Sequence, residues 1–201
     1  MIKVIKRYLD VKQIESKVFS LKAYWIKRYG VEFYTLGRNS YLDGKTLKYF
    51  TETNKTNKVL IDNFLDMYVD VRDTLENCIG EKLSIDHKFA LPSFHIFKCD
   101  PVFVEFPRNW HMDYPHKTLE LDGDKVFSFT YVVTIPSCGT GLEYMDNDEE
   151  KYLDYHVNDL IIHKGDFLHT IAPLKEPTPD EWRITLQGHV AKHNGEFIMY
   201  W

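Results

Sequence analysis

The sequence is poor in the features that mark several large classes of protein. It has only 3 cysteines, and no two of them are close together. A framework of disulfide bonds is therefore not expected, and a reducing compartment fits better. No apolar run approaches the roughly 18–20 residues that a membrane span needs, and the first residues carry no apolar run typical of a secretory signal. These absences predict a cytoplasmic protein without a membrane partner.

An excess of positive charge is also missing. The chain has 25 Lys and Arg against 30 Asp and Glu, which gives a formal net charge of -5. A protein that binds nucleic acid through a broad surface needs many basic side chains to neutralise phosphates, so no nucleic-acid partner is expected. The sequence has neither a glycine-rich phosphate loop nor a nucleophile elbow built around serine.

Aromatic residues, in contrast, are abundant. The 13 Phe, 13 Tyr and 4 Trp make up 15% of the chain, and such residues favour strands and the walls of half-buried pockets. A length of 201 residues suffices for one domain with a sizeable core. No repeat and no linker rich in Pro, Gly or Ser divides the sequence. We expect a single domain over 1–201, in which 1–88 support a β core formed by 89–201.

The first part of this domain has helical patterns. Residues 10–29 and 58–79 place apolar side chains at spacings of three and four, and a glycine directly follows each segment. Both are predicted to be amphipathic helices that end at these glycines. Residues 31–50 alternate between apolar and polar and contain Asp43-Gly44, which is typical of a β-hairpin.

The pattern changes after residue 80 to short β-prone runs separated by turn-forming residues. These runs are Phe94–Cys99, Val102–Phe106, Phe127–Ile135, Leu142–Met145, Tyr155–Ile162, Phe167–Ile171 and Arg183–Val190. Several strands at short spacing with polar turns indicate a sandwich or barrel. The predicted fold is mainly β with flanking helices, a jelly roll with the N-terminal helices packed on its outside.

Candidate metal ligands begin with a His-x-Asp sequence. On a strand, positions i and i+2 point to the same face, so His111 and Asp113 could enter the interior together. One imidazole and one carboxylate are two of the three ligands of a facial metal triad. Among later histidines His169 has the best context, between a tight turn and a short β-prone run, with His156 and His163 as rivals. The alternatives are an ordinary loop pair for His-x-Asp and a core histidine for His169.

Candidate anion-binding residues follow in the last β-prone run. Strict alternation puts Arg183 and Thr185 on the face opposite the aliphatic residues of that run. An Arg fork and a neighbouring hydroxyl make a suitable cradle for a carboxylate. Because a buried Arg without an anion is costly, a charged small molecule is expected beside it. The alternative is an exposed strand arginine next to an acidic pair.

Taken in order, His111-x-Asp113, His169 and Arg183-x-Thr185 resemble the signature of the 2-oxoglutarate/Fe(II)-dependent dioxygenases. The resemblance covers roughly the second half of the chain, and none is found in 1–88. It implies a double-stranded β-helix in which both histidines and the aspartate hold Fe(II). It also implies that the Arg and Thr take the distal carboxylate of 2-oxoglutarate.

The resemblance has further implications for chemistry. It implies oxidative decarboxylation of 2-oxoglutarate by O₂ to succinate and CO₂. Family members that halogenate replace the metal carboxylate, so the Asp113 retained here favours hydroxylation, or a related desaturation or cyclisation. Nucleic-acid demethylases of the family tend to carry a second Arg six positions beyond the first, where this chain has His189. Tyr131 is a candidate for a hydrogen bond to the cosubstrate, with a core role as its alternative.

The expected function is hydroxylation of a small molecule, such as an amino acid or a specialised metabolite. One alternative is hydroxylation of a residue in a protein or peptide. A second is a cupin-type metal enzyme that uses no keto acid, in which Arg183 binds the carboxylate of the substrate itself. A third is a binding module without catalytic activity.

Overall fold

The computed structural model describes residues 2–44, 46–104, 108–176 and 178–201. Its helices are α1 (Val11–Ser20), α2 (Ser40–Asp43), α3 (Leu47–Ile79) and α4 (Pro115–Leu119). Its strands are β1 (Ile2–Lys6), β2 (Ile26–Arg28), β3 (Phe33–Leu36), β4 (Leu83–Ser84), β5 (Ser93–Lys98), β6 (Asp122–Thr134), β7 (Gly141–Asp146), β8 (Glu149–Asp154), β9 (Asp159–Lys164), β10 (His169–Ile171), β11 (Trp182–His193) and β12 (Glu196–Tyr200).

The strands form two sheets, as the sequence predicts for a jelly roll. The larger sheet has the order β1-β9-β6-β11-β5-β3-β2, with β12 paired to β11 and to the short β4. The smaller sheet has the order β10-β7-β8. A cavity lies between the two sheets and is lined by residues of both. The double-stranded β-helix expected for the second half of the chain is therefore present, and the N-terminal strands extend its larger sheet.

Alternation along β11 decides which face of the larger sheet meets the helices. Ile184, Leu186 and Val190 are fully buried in a core that includes residues of α1 and α3. Side chains of the opposite parity face the cavity, as Arg183 and His189 show. The helices therefore cover the outer face of the sheet, as predicted, and leave the inner face free for a functional site.

The two long helices match the predictions only in part. Helix α3 ends where expected, at a glycine with a left-handed φ of 78°, but it begins at Leu47 rather than at 58. Helix α1 begins after Asp10, whose side chain caps the backbone N–H of Gln13, but it ends at Ser20 rather than at 29. The chain turns back there because Trp25 packs on Phe19 and its indole N–H donates to the carbonyl of Val18.

Two strand predictions are wrong. The Asp43-Gly44 pair does not form a hairpin turn but ends the short helix α2, because the Asp43 carboxylate binds two arginines instead. The run Val102–Phe106 begins within a single 3₁₀ turn over Pro101–Phe103, where the Asp100 side chain accepts from the N–H of Val102. The end of that run lies outside the described residues. None of the helices in the described part of the chain is both long and apolar enough to span a membrane.

A buried charge network holds α2 in place. Arg28 donates two hydrogen bonds to Asp43, at 3.0 and 2.8 Å, and Arg38 donates a third at 3.2 Å. Arg38 also binds Glu52. Burial raises the pKa of Asp43, but the hydrogen bonds and charge of Arg28, the bond from the backbone N–H of Asn39 and the charge of Arg38 together outweigh it, so the net shift is downward. The carboxylate therefore stays ionised between two buried guanidinium groups.

Removing the centre of this network should cost much stability. Asp43→Ala leaves two buried arginines without their shared partner, and we expect the free energy of unfolding to fall by about 3–5 kcal/mol. Asp62→Ala is the matched control, because its ion pair with Lys58 is exposed on α3 and should contribute no more than about 0.5 kcal/mol. Urea denaturation measures both, and similar losses in the two variants would contradict this account.

Candidate metal centre

The structure brings together the three predicted metal ligands. One ligand atom from each of His111, Asp113 and His169 lies within 4.8 Å of the others. Nε2 of His111 is 3.7 Å from Oδ1 of Asp113, and Nε2 of His169 is 3.6 Å from Oδ2. The backbones of the two histidines exchange both N–H to carbonyl hydrogen bonds at 2.9 Å. His111 therefore lies on an isolated bridge to β10 and not on a regular strand of its own.

The hydrogen bonds of both imidazoles leave the same nitrogen free. Nδ1 of His111 lies 2.7 Å from the carbonyl of Asn109, and Nδ1 of His169 lies 2.7 Å from the carbonyl of Phe167. A carbonyl can only accept, so Nδ1 carries the proton and Nε2 keeps its lone pair. Burial also lowers the pKa of His169. The two backbone carbonyls thus orient both rings as metal ligands, as second partners of histidine ligands commonly do.

The aspartate between them is buried and ionised. Burial raises the pKa of Asp113, but the positive charge that the neighbouring histidines take up in acid and a hydrogen bond from Ser128 together lower it by more, so the net shift is downward. Tyr41 donates a hydrogen bond from its hydroxyl to Oδ1 at 3.0 Å. Tyr41 lies in α2, where the Asn39 side chain caps its backbone N–H. This contact was missed from the sequence, because residues 31–50 were predicted to be a hairpin.

Loss of the tyrosine hydroxyl should weaken metal binding without removing a ligand. Partners that orient a metal ligand are typically worth about 10–100-fold in metal affinity, and we expect Tyr41→Phe to lower Fe(II) affinity by that range. Tyr24→Phe is the matched control, because Tyr24 is exposed in a turn after α1. Anaerobic titration calorimetry measures both affinities. An unchanged affinity in Tyr41→Phe would show that Asp113 needs no such partner.

Arg183 reaches the same cavity as the three ligands. It is 3% exposed, and its Cζ lies 5.1 Å from the ring centre of Phe97 and 5.8 Å from that of Tyr155. Its Nε and Nη2 are buried and meet no hydrogen-bond partner among the described residues. Burial accordingly lowers the pKa of this guanidinium. An unpaired buried cation is costly, so the arrangement calls for an anion in the cavity.

The other two predicted cosubstrate residues are placed differently. Thr185 lies on the predicted face, but it is fully buried and its Oγ1 accepts from Nε2 of Gln187 at 3.1 Å. Gln187, not Thr185, lines the cavity. Tyr131 points to the opposite face of β6, where its hydroxyl binds Asn158 and its ring joins the core beneath the helices. The structure therefore does not bring Tyr131 to the site, and the tyrosine near Arg183 is Tyr155.

Three further histidines line the cavity. Burial lowers the pKa of His95 to about 3 and those of His163 and His189 to about 4, so all three are neutral at neutral pH. His163, a rival for the third ligand position, packs its ring 4.7 Å from that of His169 but stands outside the group of converging ligand atoms. The other rival, His156, is exposed and contacts Asp154 and Asp159.

No protein-family model matches the chain, and no curated protein sequence matches it. Solved structures do match. An N-substituted L-amino acid dioxygenase from Burkholderia ambifaria AMMD aligns with a TM-score of 0.60 and 14% identity, over 99% of this chain and 85% of that one. That dioxygenase has also been crystallised with alpha-ketoglutarate. An oxidoreductase of the 2OG-Fe(II) oxygenase family from Burkholderia pseudomallei aligns with a TM-score of 0.51 and 9% identity, over 97% of this chain and 86% of that one.

This chain has the fold of the 2-oxoglutarate/Fe(II) oxygenases. The non-heme alpha ketoglutarate dependent epimerase SnoN from nogalamycin biosynthesis shares it too, with a TM-score of 0.57 and 11% identity over 96% of this chain and 79% of that one. The expectation of this oxygenase fold, made from five residues of the sequence, is confirmed. Two imidazoles and one carboxylate are also the donor set that suits Fe(II) with open coordination positions.

Proposed function

We propose that the protein is an Fe(II)- and 2-oxoglutarate-dependent oxygenase that hydroxylates a small molecule and converts the cosubstrate to succinate and CO₂. The observation that carries the proposal is Arg183. It is a buried cation whose Nε and Nη2 have no hydrogen-bond partner among the described residues, and it faces the cavity that also holds the three converging ligands. A dicarboxylate that bridges the metal and this guanidinium would satisfy both at once.

Each side chain of the site has a distinct task in this proposal. His111, Asp113 and His169 would hold Fe(II), which supplies the one-electron and O₂ chemistry when it is bound. The backbone carbonyls beside the two histidines keep Nε2 directed at the metal, and Tyr41 steadies the carboxylate. Arg183 binds and orients the distal carboxylate of the cosubstrate.

The dimensions of the cavity support a small substrate. Its volume is about 500 Å³, within the range of about 300–1,000 Å³ that is usual for small-molecule sites. Aromatic and aliphatic side chains form much of its wall, and such walls exclude water from a reacting group. Asp113 stands where halogenating relatives of the resembled family lack the carboxylate, which favours hydroxylation.

Anaerobic titration of 2-oxoglutarate into the Fe(II)-loaded protein tests the proposal. Chelation of the metal by the keto acid should produce a visible charge-transfer band, and later exposure to O₂ should yield succinate even without substrate. Succinate itself is the matched control ligand, because it has both carboxylates but no keto group and should give no band. Absence of both band and succinate formation from 2-oxoglutarate would leave a metal enzyme without keto acid as the better account.

A further inference from the structure

We propose that the cavity selects an uncharged, largely apolar substrate that carries an oxygen acceptor, and that His95 is the residue that binds this acceptor. The inference rests on the proposed function and deepens it by naming the substrate class. It also excludes a free amino acid, which is one of the substrates expected from the sequence.

The hydrogen bonds around His95 determine which of its nitrogens carries the proton. Oδ1 of Asn39 accepts from the backbone N–H groups of Tyr41 and Leu42, at 2.8 and 3.1 Å, so the amide nitrogen is the group that faces His95. That nitrogen lies 3.3 Å from Nε2 of His95. An amide nitrogen only donates, so Nε2 accepts and, in a neutral imidazole, Nδ1 bears the proton.

This Nδ1–H is available to a ligand. His95 is 8% exposed and lines the cavity, and Nδ1 has no hydrogen-bond partner among the described residues. Ligand cavities are mostly apolar and carry a few polar groups that fix the orientation of the ligand. A donor of this kind in the wall of a cavity therefore indicates an acceptor on the molecule that fills it, such as a carbonyl or hydroxyl oxygen.

His95 lies on β5, the strand that pairs with the β11 strand of Arg183, and aromatic rings surround its imidazole. The ring contacts of His95 include Phe33, at 5.3 Å between ring centres, and Trp201, at 5.0 Å. Trp201 in turn stacks on His189 at 4.6 Å and lies 6.2 Å from Tyr41, whose hydroxyl binds the metal ligand Asp113. A molecule held at His95 thus lies along the wall that leads to the metal.

The charges around the cavity exclude an ammonium group. Among the described residues that line it, the charged ones are Arg108, Asp113 and Arg183. Arg108 is already paired with Glu143 and Glu150, at 3.3 and 2.7 Å. With iron and cosubstrate bound, the charges of Fe(II), the 2-oxoglutarate dianion, Asp113 and Arg183 sum to zero. A substrate cation, or a further anion, would be buried without a partner, which is costly.

The remaining wall on this side suits an apolar body. The rings of Phe33 and Phe97 stack with their centres 4.1 Å apart and their planes within 4°. Phe103 meets Phe97 edge-on at 5.5 Å, and Leu42 and Leu174 also line the cavity. These surfaces offer dispersion contacts and no hydrogen bonds, so burying an aromatic or aliphatic group against them is favourable.

Four compounds with one common phenyl body test the inference. Their dissociation constants are measured anaerobically, by ligand-observed NMR, with the protein loaded with Fe(II) and 2-oxoglutarate. We expect 3-phenylpropanamide to bind about three- to tenfold more tightly than propylbenzene, the effect of one neutral hydrogen bond. We expect it to bind more than about tenfold more tightly than 3-phenylpropylamine and phenylalanine, which bring an ammonium group.

Two variants separate the His95 donor from the shape of the cavity. His95→Phe should abolish the preference for the amide over propylbenzene and leave 2-oxoglutarate affinity unchanged. His95→Asn keeps an N–H near the position of Nδ1 and should retain part of the preference. The inference is overturned if none of the four compounds binds, if the ammonium compounds bind as well as the amide, or if His95→Phe keeps the preference.

The same samples report on the proposed function separately. A normal charge-transfer band together with no preference for the amide would overturn only the substrate class. A weaker affinity for 2-oxoglutarate in His95→Phe would assign His95 to the cosubstrate and also overturn it. Absence of the band in the unaltered protein would overturn the proposed function, and the cancellation of charges described above with it.

Discussion

His169→Ala is expected to abolish Fe(II) binding. Only three side chains converge on the metal position in the described part of the chain. Removing the imidazole of His169 leaves two ligands and an empty space beside the Asp113 carboxylate. Loss of a partner that merely orients a ligand costs about 10–100-fold in affinity, and loss of the ligand itself should cost more than about 100-fold. Equilibrium dialysis with metal analysis measures the bound iron.

His156→Ala provides the matched control for this variant. His156 is also a histidine of the second half of the chain, but it is exposed and its contacts are carboxylates outside the metal centre. Iron binding should therefore stay within about twofold of the unaltered protein. If His169→Ala retained stoichiometric iron, or if His156→Ala lost it, the assignment of the third ligand would be wrong.

Arg183→Met is expected to remove most of the affinity for 2-oxoglutarate and leave the iron in place. Methionine fills much of the same space without charge, and truncating one partner of a buried charge pair costs about 2–5 kcal/mol, or at least about 30-fold in affinity. The unloaded protein should be no less stable than before, because the arginine is a buried cation whose Nε and Nη2 meet no partner among the described residues.

The combination of these two effects distinguishes a binding residue from a structural one. Arg108→Gln is the control, since Arg108 lines the cavity but is neutralised by Glu143 and Glu150. Its affinity for 2-oxoglutarate should change by less than about threefold. Anaerobic titration of the charge-transfer band gives the affinity, and urea denaturation gives the stability. Arg183→Met with normal 2-oxoglutarate affinity, or with a destabilised unloaded fold, would contradict the role given to the arginine.

The alternation rule explains both a success and a failure of the sequence analysis. It placed Arg183 on the inner face of β11 because the neighbouring aliphatic residues claim the outer face. The same rule applied to β6 would have excluded Tyr131, which shares its parity with the core residues Phe129 and Val133, whereas Ser128 and Thr130 point to the cavity. The alternation of β6 therefore predicts a core position for Tyr131, although its hydroxyl could have bound a cosubstrate.

Other features depend on contacts that no local pattern encodes. The first turns of α3 are hard to recognise because their buried positions are polar. Asn57, for example, donates to the carbonyl of Phe89 and accepts from the N–H of Leu91, both at 2.9 Å. Tyr41 reaches Asp113 across a long stretch of sequence, and the tautomer of His95 depends on the cap of a helix that the sequence did not predict. Tertiary contacts of this kind outweigh local propensity.

The paired backbone hydrogen bonds between His111 and His169 have a consequence for how the protein acquires its metal. The peptide ladder, and not the ion, fixes the separation of the two imidazoles, so the coordination geometry is preorganised. Little conformational entropy remains to be lost when the ion arrives. Unlike small domains that fold only around their metal, this protein should release and regain iron reversibly with its tertiary structure intact.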